Sequence, residues 1–114
     1  MQTVSMKSEV LVVLCTFPDE GVARQIGAVL IEKQVAACVN LLPPVRSIYR
    51  WEGKVEDETE VLAVIKTTAE GYAALEAALL ELHPYDTPEV IAVPGVAGSE
   101  AYLRWVSDSV GAKG

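Results

Sequence analysis

Residues 83–90 read HPYDTPEV and hold the chain's only histidine, two prolines, a tyrosine and two carboxylates, Asp86 and Glu89. Imidazole beside carboxylate is a donor set for a transition-metal ion, or a proton-transfer pair. Pro88 fixes the backbone ahead of Glu89, so that carboxylate is held in one direction instead of sweeping through water. A thiol would complete a set suited to copper or zinc. The chain has two, Cys15 at the end of one apolar run and Cys38 inside another. The spacing gives little support, for there is no CxxC and no His-x-x-x-His. Each group also has a plainer reading. His83 can close a helix end, Asp86 and Glu89 can be solvated, and each cysteine can be a small buried apolar residue.

Lys66 stands beside Thr67 and Thr68 at the end of an apolar run, where a lysine near capping hydroxyls could bind an anion or simply be solvated. The sequence has no glycine-rich phosphate loop, no nucleophile elbow and no histidine-paired triad. With one histidine, catalytic machinery is sparse, and the expectation is a protein that is not an enzyme.

These groups need a scaffold. The 114 residues suit one domain, and 51% hydrophobic content is too high for a disordered chain. Asp and Glu outnumber Lys and Arg by 16 to 9, a net charge of −7, which disfavours nucleic acid and anionic membranes as partners. No apolar stretch precedes Glu9, and VLVVLC is far shorter than the ~20 residues of a membrane span. The expectation is a soluble cytoplasmic protein with reduced cysteines.

EVLVVLC (9–15) reads as a buried strand. Pro18, Asp19 and Glu20 suit the first turn of a helix running to about Lys33, with Val22, Ile26, Val29 and Leu30 on one face. VAACVNLL (35–42) reads as a second strand, interrupted at Pro43 and Pro44 by a bulge or an edge position, and resuming through VRSIYRW. Glu52–Lys54 reads as a hairpin tip with Gly53 as its permissive residue. A third strand follows, acidic in its first half and apolar in its second. Thr68 is expected to cap a helix carrying Tyr72, Leu75, Leu79 and Leu82. EVIAVP is a fourth strand, and Ser99 caps a last helix with Leu103, Val106 and Val110 on one side.

The order β-α-β-β-α-β plus a terminal helix is the ferredoxin-like split β-α-β arrangement, an α+β fold. It places two helices on one face of an antiparallel sheet. VLVVL and VLAVI are nevertheless apolar on both faces, and such strands need cover on both. An obligate homo-oligomer follows as the expectation, with Tyr49 and Trp51 on an arm able to reach a neighbour.

Five segments in order also resemble a known family: LCTFPDE (14–20), AACVNLLPPVRSIYRWEGK (36–54), VIKTT (64–68), HPYDTPEVIAVP (83–94) and YLRWV (102–106). Together they look like the CutA divalent-ion tolerance family. The resemblance implies one ferredoxin-like domain over residues 1–114, with flexible ends at 1–8 and 111–114, in a tight homotrimer similar in architecture to PII signalling proteins. It implies binding of copper or another divalent ion and a part in metal-ion response. It suggests Cys15, His83 and Glu89 as ligands. This chain has Asp86 where glutamate is common in the family. Likeness to PII proteins offers a second reading, an interaction module with an unidentified protein partner, binding a small anionic metabolite between subunits near Lys66, Tyr85 and Trp51.

Overall fold

The computed structural model describes residues 9–111, so of the expected flexible ends, 1–8 and 111–114, all but Gly111 lie outside the described residues. The elements are β1 (Val10–Phe17), α1 (Glu20–Glu32), β2 (Cys38–Leu41), β3 (Val45–Trp51), β4 (Lys54–Thr68), α2 (Tyr72–Leu82), β5 (Ile91–Pro94) and α3 (Glu100–Ser109). All strand pairs are antiparallel in the order β2-β4-β1-β5, with β3 continuing along β4 beyond β2. The fold is α+β, with an antiparallel sheet and three helices.

Alternation along the strands sorts the side chains. Val13, Cys15 and Phe17 of β1, with Val61, Ala63 and Ile65 of β4, face α1 and α2. There they bury Ile26, Leu30, Leu75 and Leu79 in the main core. α1 starts where Asp19 accepts a hydrogen bond from the Val22 N–H at 2.9 Å, so Asp19 is the cap and Glu20 opens the first turn. α2 starts later than expected. Thr68 is still the last residue of β4, and its hydroxyl accepts from the Gly71 N–H at 3.0 Å in a turn, which leaves Gly71 as the cap. A Cβ on Gly71 would stand 2.5 Å from the Val110 side chain, so a larger residue at this corner would have to push Val110 aside.

α3 packs on the opposite face, but only at one end. Val106, with Leu103 and Val110, covers Val10 and Ala37. Val12 and Leu14 of β1 and Leu62 and Val64 of β4 are left half-buried, and Ile91 and Val93 of β5 are exposed. This is the two-sided apolar sheet that the strand sequences imply.

The prolines act where expected. Between β2 and β3 the chain advances four residues, Leu41 to Val45, while β4 advances three, Ala63 to Glu60. That extra residue is a bulge, and it bends β3 away from the sheet. Beyond it β3 and the first half of β4 form an arm. Its tip is a two-residue turn in which Glu52 and Gly53 have φ of 50° and 82°, the pattern of a type I′ hairpin. The arm raises the radius of gyration to 15.0 Å, where about 13 Å suits a compact chain of this length.

Candidate functional site

The site lies where the arm leaves the sheet. Three segments meet there: the end of β1, the root of the arm, and residues 83–90 between α2 and β5. They enclose a cleft of ≈ 560 Å³ lined by Thr16, Ser47, Ile48, Tyr49, Trp51, Glu58, Glu60, Tyr85, Asp86, Thr87 and Glu89.

The 83–90 loop is held by His83. The Tyr85 N–H donates to Nδ1 at 3.2 Å, so Nε2 carries the proton and donates to the Thr16 carbonyl at 2.7 Å. The ring stacks on Phe17 with centroids 4.8 Å apart, and His83 is only 7% exposed. Both ring nitrogens are thus engaged by the protein's own backbone. The clasp aims Tyr85 at the arm, where its hydroxyl donates to Glu60 Oε2 at 2.7 Å. On the arm itself the Tyr49 hydroxyl donates to Glu58 Oε1 at 3.0 Å.

The electrostatics are one-sided. Four carboxylates line the cleft, and among the described residues no Lys or Arg does. Burial, then the hydrogen bond to Glu60 and the negative charges nearby, push the Tyr85 phenol well above its ordinary value. Tyr49 is also raised, first by its bond to Glu58.

Cys15 sits one residue before Thr16, so its side chain points to the other face, into the helix-covered core. Burial, helped by the charges of Glu89 and Glu60, pushes its thiol up to about 12. Of the residues suggested from the sequence, Glu89, Tyr85 and Trp51 line one cleft, and Cys15 and His83 stand behind it. Lys66 is apart, six residues along β4 from Glu60, about 20 Å at strand rise. Its ammonium donates to Asn40 Oδ1. Glu58 and Glu60 were hidden in the acidic half of β4. The signal for them was period two in VEDETE, which sends Glu56, Glu58 and Glu60 to one side.

The scan against known families matches CutA1, described as a divalent ion tolerance protein, over residues 11–109. The chain belongs to the CutA1 family. The "Divalent-cation tolerance protein CutA" of Thermus thermophilus is 44% identical over 100 residues, covering 88% of this chain and 97% of that protein. The crystal structure of CutA1 from Oryza sativa superposes with a TM-score of 0.87 at 38% identity, covering 90% of this chain and 94% of that one. A structure described as the periplasmic divalent cation tolerance protein CutA of Archaeoglobus fulgidus superposes with a TM-score of 0.85 at 34% identity, covering 88% and 97%.

The CutA1 name invites a test of the residues against a metal ion. Among the described residues no group of three or more His, Cys, Asp and Glu side chains stands close enough to hold one. Alternation separates the Cys15 thiol from the cleft, and His83 offers no free nitrogen. The described side chains of one chain do not assemble a metal shell. They line an acidic, aromatic-walled cleft.

Proposed function

We propose that this CutA1 family member is a divalent-cation tolerance protein that works as a PII-like homotrimer, binds copper or another divalent cation, and is not an enzyme. The observation that carries the reading is that the acidic cleft opens on the side of the sheet left apolar and uncovered. Thr16 and Glu60 belong to the same strand face as Leu14, Leu62 and Val64. Copies that bury this face bring their carboxylates together. Since the described residues of one chain hold no coordination shell, the reading assigns the shell to carboxylates of neighbouring copies, with Glu89 one exposed contribution from each. His83 holds the loop that presents it, and Cys15 lies in the core behind. The names of the relatives support cation tolerance as the task, and two free cysteines suit the reducing cytoplasm.

Light scattering should give the mass of three chains. Titration calorimetry with copper and zinc should show saturable binding that Glu89→Gln weakens and His83→Ala weakens through the displaced loop. A single-chain mass, or identical titrations for wild type and Glu89→Gln, overturns the reading.

A further inference from the structure

The arm, residues 45–60, has little to fix its angle. β1 accompanies β4 only as far as the pair Phe17 and Val61, and beyond Val61 the register of β4 is with β3 alone. A two-stranded ribbon by itself is marginal in water, and its own ladder does not set the direction in which it leaves the sheet. Among the described residues, three of the arm's side-chain hydrogen bonds stay inside it, from Arg46 to Asp57, from Arg46 to Thr59 and from Tyr49 to Glu58. One leaves it, the 2.7 Å bond that the Tyr85 hydroxyl donates to Glu60 Oε2.

That bond sits at the root of the arm. Glu60 adjoins Val61, where β1 ends, and is buried. The tip lies six residues on, about 20 Å at strand rise, so a small turn at Glu60 swings it widely. The other end of the bond is rigid. Tyr85 is pinned by its N–H to His83 Nδ1 at 3.2 Å and by its ring, 4.7 Å from the imidazole. His83 is in turn fixed to the Thr16 carbonyl and stacked on Phe17. A continuous path thus runs from the end of β1 through His83 and Tyr85 to Glu60. Glu89 stands four residues past Tyr85 in the same loop, just after Pro88. Without the Tyr85 hydroxyl a buried carboxylate would lose its donor, which favours the closed bond. We propose that the Tyr85–Glu60 bond is a latch that sets the angle of the arm and couples it to the 83–90 loop. Tyr85 is then a positioning residue. An arm seated on a neighbouring copy and a cation held at Glu89 favour each other through it, and the coupling is reciprocal. The coupling to a cation rests on the reading above, and the latch itself does not.

The test measures the arm directly, by pulsed electron spin resonance on the intact protein. Spin labels go on Ala28→Cys, on the outer side of α1, and on Lys54→Cys, at the tip, both exposed positions, with Cys38→Ser removing the half-buried thiol. Labelled chains are diluted in unlabelled ones, so that each distance lies within one chain. The latched protein should give one narrow distribution. Tyr85→Phe should raise the released fraction at least about tenfold, because a bond to a charged group is lost. Glu60→Ala opens the same latch from the other side, so either variant that folds gives the answer. Glu60→Gln keeps an acceptor oxygen and should stay narrow, and so should Tyr49→Phe, whose bond is internal to the arm. Identical distributions in wild type and Tyr85→Phe overturn the latch. Release by Glu60→Gln or Tyr49→Phe as large as by Tyr85→Phe overturns it too. Copper titrations then read the coupling, and Tyr85→Phe should bind copper about fivefold more weakly than wild type. Equal copper affinity overturns the coupling. A wild type that binds no copper removes only the metal reading, and the arm distances still decide the latch.

Discussion

His83 donates from Nε2 to the carbonyl of Thr16 at 2.7 Å, across 67 residues of sequence. That bond ties the end of α2 to the last residues of β1, at the floor of the cleft. It gives the histidine a structural duty whatever ligand arrives.

His83→Ala should therefore lower stability as well as cation binding. It removes a ring packed on Phe17 and leaves the Tyr85 N–H without its acceptor. The expected loss is about 2–4 kcal/mol, read from urea unfolding followed by circular dichroism.

Tyr85→Phe deletes the hydrogen bond to a buried carboxylate. The expected cost is about 1–3 kcal/mol, in the range for bonds to charged groups. Tyr49→Phe, on the exposed arm, should change the denaturation midpoint far less.

The two thiols should differ sharply in reactivity. Cys15 is buried with its thiol pushed up to about 12, while Cys38 is half-exposed on the sheet edge. At pH 8 a disulfide reagent should titrate one thiol per folded chain and two after unfolding.

The same shift fixes a sign for alkaline stability. The thiol's ordinary value is 9.0, and the folded value lies above it. Between these the folded state keeps a proton that the unfolded state has lost, so stability is whole below pH 9 and falls as pH rises toward 12. The raised Tyr85 acts in the same direction. Unfolding in urea at a series of alkaline pH values should show a steeper decline for wild type than for Cys15→Ala.

A charge on the open sheet face should separate the copies. Leu14→Asp or Val64→Asp places a carboxylate among half-buried apolar side chains that the helices do not touch. Light scattering should show smaller particles, with circular dichroism still indicating folded chain.

The fold was legible because its signals are local. Valine-rich runs, Asp19 and Ser99 as caps, Gly53 in its turn and the paired prolines each name their own structure. The cap of α2 was not, because Thr68 had to serve β4 first and passed the helix start to Gly71. The site was legible in its loop and not in its arm. HPYDTPEV stands out in composition, whereas Glu60 looks like one more acid in an exposed strand. Its burial follows from the bulge and from Tyr85, which lies 25 residues away. Whether Cys15 faced the loop or the core turned on strand parity, set by register with β4.

The 15-residue strand β4 is both one leg of the arm and the centre of the sheet. Its pairing with β3 starts at Trp51 and Lys54 and closes almost no loop, whereas β1 must find partners as distant as Thr68 and Pro94. Hairpins of this kind zip within about 1–10 μs, while distant pairings wait on chain closure. The hairpin is thus the natural first event in folding. By the time β1 arrives, the arm has already straightened the strand on which the rest of the sheet is built.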